Sequence, residues 1–129
     1  MQRASAIDRT VKQLDKVTVI QRAKQYASLV QTVVQPHKVI LYGSFAEGTW
    51  HQDSDIDIAV VVERLGEDYL SLSSKLWWLT TEVDTRIEPL LLENGNDPSG
   101  FLEHILKHGV IVYDRDAALA SSAQSALAS

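Results

Sequence analysis

Two short stretches carry residues that could perform chemistry together. Gly43 and Ser44 follow one apolar run, and Asp55 and Asp57 open another after ten intervening residues. Two aspartates on a strand with one residue between them point to the same face, with carboxylates about 6–7 Å apart. Such oxygens can hold Mg²⁺, whose remaining ligands are usually water and phosphate. A glycine permits close approach to a ligand, and a serine can begin a helical turn whose amides point at phosphate. The pattern predicts phosphoryl or nucleotidyl transfer.

Hydrophobic periodicity and turn signals predict the elements that must position these residues. Thr18 is the predicted N-cap of a helix over 18–34, which ends before Pro36. Apolar residues at helical spacing predict a second helix over 69–83 and a third over 98–108. Apolar runs predict strands over 38–42, 56–62, 83–92 and 110–113. The predicted order is therefore α-β-β-α-β-α-β.

This order predicts an α/β (α+β) fold, a mixed sheet of about four strands packed with helices. A loop joins strands 1 and 2 and allows antiparallel pairing, which would bring Gly43 beside Asp57. A helix joins strands 2 and 3 and favours a parallel right-handed crossover. Pro89 within strand 3 indicates an edge, a bulge or an early end to regular pairing.

Length and composition narrow the class of protein. With 129 residues the chain can form one domain, predicted over 18–115, with a leader over 1–17. The Ala/Ser-rich tail over 116–129 is expected to form a short helix or to be disordered. The net charge of −5 argues against direct nucleic-acid binding. The sequence has no cysteine, no signal-peptide pattern and no apolar run of membrane-spanning length, so a cytoplasmic protein is expected.

The central motif has a specific resemblance. G-S-x10-D-x-D, within L-Y-G-S-F-A-x-G-T and S-D-I-D-I-A-V-V, resembles the signature of the minimal nucleotidyltransferases (MNT), small members of the DNA polymerase β-like superfamily. The similarity extends from residue 18 to Asp114. It implies an enzyme that uses ATP and Mg²⁺ (or Mn²⁺), with Asp55 and Asp57 as catalytic metal ligands and Gly43 and Ser44 as nucleotide-binding residues.

The resemblance also implies a third carboxylate on the strand after the crossover helix. Asp84 and Glu88 are the two candidates. Asp84 is favoured, as a metal ligand or as the base for the acceptor's proton, because it lies near the predicted start of that strand. Glu88 lies about 13 Å further along the strand and is held in reserve. A shift in register would bring Glu88 level with Asp57.

One position departs from the family pattern. Related proteins often have Arg or Lys where this chain has Glu47. If that basic residue helps to hold the triphosphate, then Lys38, Arg86 or a partner chain must supply the charge instead.

Two further features stand outside the motif. His104 and His108 are four residues apart on the third predicted helix, but no third zinc ligand is evident and a solvated face is expected. Trp77 and Trp78 flank the apolar face of the second predicted helix. They either widen the core contact or form an exposed surface for a partner or a second copy.

Three functions are compatible with these observations. The first is a nucleotidyltransferase that moves AMP from ATP to a hydroxyl of a protein. Similar proteins are antitoxins paired with HEPN-domain toxins, which makes such a toxin the expected partner and acceptor. The second is an antitoxin that neutralises its toxin by binding alone. The third, ranked lowest, is an aminoglycoside-type nucleotidyltransferase, because those enzymes usually carry an additional helical domain.

Overall fold

The computed structural model describes residues 15–51 and 53–128, which form one four-stranded sheet with five helices. The strands are β1 (Lys38–Tyr42), β2 (Ile56–Val62), β3 (Ile87–Glu93) and β4 (Val110–Asp114). The helices are α1 (Lys16–Val30), α2 (Ser44–Glu47), α3 (Tyr69–Thr80), α4 (Phe101–His108) and α5 (Arg115–Ala128).

The sheet has the mixed topology that the sequence predicts. Its strand order is β3-β2-β1-β4. β1 pairs antiparallel with both β2 and β4, and β2 pairs parallel with β3 across the α3 crossover. β3 is an edge strand and contains Pro89, in agreement with one of the predictions for this proline. The predicted α/β fold with about four strands is confirmed.

The two faces of the sheet bury separate apolar clusters. Alternate side chains of β1 and β2, such as Leu41 and Ile58, pack against α1 and α3. The intervening side chains, such as Ile40 and Ala59, pack against Leu102 and Ile105 of α4. Because Asp57 alternates with Ile58, its side chain lies on the α4 side of the sheet.

Helix α1 begins and ends earlier than the periodicity predicts. Its N-cap is Asp15 and not Thr18, because the Asp15 carboxylate accepts a hydrogen bond of 2.8 Å from the Thr18 backbone N–H. This satisfies one of the free amides of the first turn. The helix ends at Val30, and tighter turns follow, with Thr32 N–H donating to the Leu29 carbonyl.

The start of the third predicted strand is wrong by four residues. β3 begins at Ile87 because the segment before it forms a turn. Asp84 N–H donates to the Thr80 carbonyl, and the Asp84 carboxylate accepts from Arg86 N–H at 2.9 Å. An aspartate that bonds the backbone two residues on favours a turn over an extended strand.

The structure describes more of the C-terminal end of the chain than of the N-terminal end. Most of the predicted leader over 1–17 lies outside the described residues. The Ala/Ser-rich segment lies in helix α5. In the part of the chain that the structure describes, no helix is long and apolar enough to cross a membrane.

Candidate active site

Three strands bring polar side chains to one end of the sheet. Tyr42, the last residue of β1, pairs with Asp57 near the start of β2. Asp57 pairs in turn with Glu88 near the start of β3. Paired residues in a sheet project to the same face, so the three side chains form a row. The predicted meeting of the end of strand 1 with the start of strand 2 is confirmed.

This row concentrates negative charge. Partial burial, together with the neighbouring charges of Glu88 and Asp55, raises the pKa of Asp57 to about 6. Burial and the charges of Asp57 and Glu88 raise the pKa of Tyr42 to about 12. Asp55 and Glu88 are themselves exposed. The site is thus a cluster of carboxylates that is open to solvent and whose members repel one another.

Gly43 is adapted to its place beside Asp57. Its φ of +77° is a conformation that residues with a side chain rarely adopt. A Cβ atom added at this position would lie 2.4 Å from Asp57 Oδ2. The glycine therefore lets the backbone approach the carboxylate and leaves the space next to it open.

The predicted helical turn after Gly43 is present as α2. Gly43 is its N-cap in place of Ser44, and the Gly43 carbonyl accepts from the N–H groups of Ala46 and Glu47. Phe45 is buried and stacks on Trp50 at a centroid distance of 5.6 Å, which anchors the turn to the core. Gly48, at φ +81°, ends the turn.

Asp84 is not in the carboxylate row. It precedes β3 in the chain, and its side chain is only 6% exposed, between Arg22 and Arg86. Burial alone would raise the pKa of Asp84, but hydrogen bonds from Arg86 and Arg22 lower it to about 2. The expectation that Asp84 lies level with Asp57 is wrong because β3 starts at Ile87. The reserve residue, Glu88, takes that level.

The basic residues that could compensate for Glu47 are engaged elsewhere. Lys38 lies at the opposite end of β1 from Tyr42, and its Nζ is 3.7 Å from Asp114. Arg86 Nη2 donates to Asp84 at 2.7 Å. Each of these two cations already has a carboxylate partner.

A cavity of about 240 Å³ adjoins Gly43 on the α4 side of the sheet. Its lining is mixed aromatic, imidazole and acidic: Tyr42, Gly43, Glu47, Phe101, His104, Ile105, His108 and Gly109. The His104 and His108 rings are 4.6 Å apart and both side chains are exposed. The sequence shows the spacing of this histidine pair, but not that α4 places the pair opposite Glu47.

The carboxylates at this end of the sheet are suitable ligands for a hard divalent cation. Asp55, Asp57 and Glu88 offer carboxylate oxygens, and a cation would relieve the repulsion that raises the pKa of Asp57. Among residues 15–51 and 53–128, however, no three His, Asp or Glu side chains converge into a ready-made metal cage. A cation here would keep positions for water and phosphate, as Mg²⁺ commonly does.

A second surface lies on α3, away from the carboxylate row. Trp77 is 47% exposed, Trp78 is 74% exposed and Leu70 is 77% exposed. A shallow groove of about 460 Å³ runs between these residues, with Ser73, Ser74 and Thr81 in its lining. We call this the α3 apolar surface. Of the two predictions for the tryptophans, the structure favours the exposed surface.

Comparison with known proteins identifies a family and a shared fold. The family described as "Polymerase beta, Nucleotidyltransferase" matches residues 24–118. A search of curated proteins finds no match. A Sulfolobus solfataricus protein described as a candidate nucleotidyltransferase is similar, with a TM-score of 0.57 and 20% identity over 78% of this chain and 85% of that chain.

Two complexes contain chains that are also similar to this one. A chain of a toxin–antitoxin complex with AMP-PNP has a TM-score of 0.51 and 22% identity over 81% of this chain and 90% of its own. A chain in the structure of a tri-AMPylated Shewanella oneidensis HEPN toxin with MNT antitoxin has a TM-score of 0.49 and 18% identity, covering 84% and 90%. At 22% identity, the likeness to the first of these two chains shows a similar fold and no more.

Proposed function

Because this chain belongs to the polymerase β nucleotidyltransferase family, we propose that it transfers a nucleoside monophosphate, AMP from ATP, to a hydroxyl of a protein partner. The observation that carries the proposal is the row of Asp57 and Glu88 beside the Gly43–Ser44 turn. A carboxylate cluster next to a phosphate-sized opening is what nucleotidyl transfer requires, because catalysis there depends on positioning and charge neutralisation.

The three carboxylates and the Gly43–Ser44 turn have separate proposed roles. Asp55, Asp57 and Glu88 would hold Mg²⁺ or Mn²⁺, and the bound cation neutralises charge on the phosphates and orients them. Gly43 lets phosphate oxygens come close to the backbone, while Ser44 Oγ and the first amides of α2 donate hydrogen bonds to them. Glu88 lies across Asp57 from the Gly43 turn. In that place it can also accept the proton of the attacking hydroxyl.

Asp84 has a different proposed role. Its two arginine partners join α1 to the turn before β3. Ile56 N–H also donates to the Arg86 carbonyl at 2.9 Å, next to the start of β2. The Arg22–Asp84–Arg86 cluster therefore holds the start of β3 in register with β2, and Asp84 positions Glu88 without touching the nucleotide.

The acceptor is proposed to be a HEPN-domain toxin, with this chain as its antitoxin. The motif resemblance and the fold shared with a chain of a toxin–antitoxin complex support this choice. The α3 apolar surface offers a place for the toxin to dock, because exposed tryptophans are typical of the centres of protein interfaces.

Labelled ATP tests the proposal directly. The chain is incubated with Mg²⁺, α-labelled ATP and the HEPN-domain protein encoded beside it, and label on that protein is measured. We expect labelling with the wild type and with Asp53→Asn, which changes an exposed aspartate outside the row. We expect at least a hundredfold less with Asp57→Asn, in line with losing a metal ligand. Equal labelling by Asp57→Asn would refute the assignment.

An antitoxin that acts by binding alone is the second candidate. The α3 apolar surface and the acidic Glu47 in the cavity favour it. A variant with Asp55→Asn and Asp57→Asn separates the two functions in cells that express the toxin. Protection that persists in this variant supports neutralisation by binding, whereas protection that disappears while the complex still forms supports transfer.

A further inference from the structure

The cavity beside Gly43 connects the proposed phosphate site to helix α4. Glu47 of α2 lines it, and so do His104 and His108 of α4, which we call the histidine wall. We propose that the two imidazoles bind the terminal phosphates of the nucleoside triphosphate, while Glu47 limits the strength of that binding. This inference rests on the proposed function, because it takes the phosphates to lie at the Gly43–Ser44 turn.

The position of the histidine wall is fixed by close packing. Gly109 ends α4 against β1, where an added Cβ would lie 2.7 Å from the Leu41 carbonyl oxygen and 2.8 Å from Ile40 Cγ2. Phe101, at the other end of the helix, meets Tyr42 edge to face at a centroid distance of 5.6 Å. Because both ends of α4 contact β1, the histidines between them are held beside the site.

An anion in this cavity would have the two histidines within reach as N–H donors. The tail of a triphosphate carries several negative charges and needs N–H partners beyond the backbone of α2. Lys38 is paired with Asp114, and Arg86 with Asp84. In the lining of the cavity, the described side chains that can present an N–H group are His104 and His108. Their rings are side by side at 4.6 Å, a spacing that lets both reach one phosphate chain.

Glu47 should have the opposite effect from the histidines on phosphate binding. Its carboxylate lines the same cavity and would repel an incoming phosphate. A group that attracts the phosphate tail and a group that repels it should change affinity in opposite directions when each is replaced by glutamine. A nucleobase in the cavity would not respond to the number of phosphates.

The test compares the binding of AMP with that of an ATP analogue whose α,β-bridge is not cleaved. Calorimetry in the presence of Mg²⁺ measures the binding of both nucleotides to the wild type and to three variants: His104→Gln/His108→Gln, Glu47→Gln and the control Lys107→Gln. The control changes a neighbouring exposed residue of α4 that lies outside the cavity lining. We expect the histidine double variant to bind the ATP analogue about tenfold more weakly than the wild type does, because it lacks a charge-assisted hydrogen bond to phosphate. Its binding of AMP should be unchanged. Glu47→Gln should bind the analogue about threefold more tightly. Lys107→Gln should match the wild type.

Other results would overturn the inference. Unchanged analogue binding in both cavity variants would mean that no phosphate enters the cavity, and equal weakening of AMP and the analogue would mean that the base or ribose lies there. In both cases the proposed function stands, because the wild type binds nucleotide. A wild type that binds neither nucleotide would overturn the proposed function itself. Because both histidines are exposed, the double variant should have the same unfolding midpoint as the wild type, which urea unfolding can verify.

Discussion

Replacing Gly43 with alanine should destabilise the fold more than the same change at Gly48. Both glycines have positive φ, at +77° and +81°. Nothing lies within 4 Å of a Cβ at Gly48, whereas a Cβ at Gly43 would lie 2.4 Å from Asp57 Oδ2. The pair therefore separates the cost of the backbone conformation from the cost of the contact.

The two costs can be worked from the geometry. Gly48 is in the left-handed region, where a side chain costs about 1–2 kcal/mol. Gly43, with ψ at −153°, is in a region that is almost exclusive to glycine and costs about 1–3 kcal/mol before any clash. With the displaced carboxylate added, we expect Gly43→Ala to lose about 3 kcal/mol. The urea midpoint should fall by about 1–2 M.

Urea unfolding followed by tryptophan fluorescence measures these losses, since Trp50 stacks on Phe45 next to the site. A double-mutant cycle with Asp57→Ala isolates the contact, because alanine at 57 removes the oxygen that the new methyl group would meet. We expect a coupling free energy of about 1 kcal/mol or more. A coupling of zero, with Gly43→Ala no less stable than Gly48→Ala, would refute the close approach of Gly43 to Asp57.

Four further predictions concern the carboxylates and the α3 apolar surface. Since the pKa of Asp57 is raised from 3.8 to about 6, the fold loses stability as pH rises from about 4 to about 6 and stays less stable above that range. Asp57→Asn should therefore be about 1–2 kcal/mol more stable than the wild type at pH 7 and equally stable at pH 3, as measured by urea unfolding. Since the pKa of Asp84 is lowered to about 2, Asp84→Asn should lose about 2 kcal/mol at pH 7, a loss that shrinks as pH falls from 4 to 2. Glu88→Gln, unlike Asp84→Asn, should be at least as stable as the wild type at pH 7, because it removes a charge that repels Asp57, and it should lose label transfer from α-labelled ATP. Changing Trp78, which is 74% exposed, to serine should leave the free energy of unfolding within about 0.5 kcal/mol of the wild type and abolish co-purification with the proposed toxin. Toxin retained at wild-type yield would contradict a docking role.

The topology of the sheet was predictable because each connection limits how its strands can pair. A loop of thirteen residues separates Tyr42 from Ile56, and a helix separates β2 from β3, so antiparallel and parallel pairing follow. The meeting of Gly43 with Asp57 follows from the first of these pairings. An edge position was one of three predictions for the strand with Pro89, and it follows from a similarly local reason, the missing N–H group.

The level of the third carboxylate depends on contacts that no local pattern reveals. The alternation of polar and apolar residues in 83–87 is typical of a strand, yet Asp84 turns the chain by bonding Arg86 and is held by Arg22 from a helix sixty-two residues away in sequence. With this long-range ion pair in place, β3 starts at Ile87, and Glu88 lies beside Asp57. The histidine wall was unpredictable for a related reason, since it depends on how closely Gly109 lets α4 approach β1.

Pro89 also affects how this chain can meet other chains. An exposed edge strand is a template on which a neighbouring molecule can add a strand through backbone hydrogen bonds. Proline at the third position of β3 lacks one of the N–H groups that such a strand would use. Extension of the sheet at this edge is therefore disfavoured, which keeps the carboxylate end of β3 clear of other copies. Association is directed instead to side-chain contacts, and the α3 apolar surface is where the chain exposes its tryptophans.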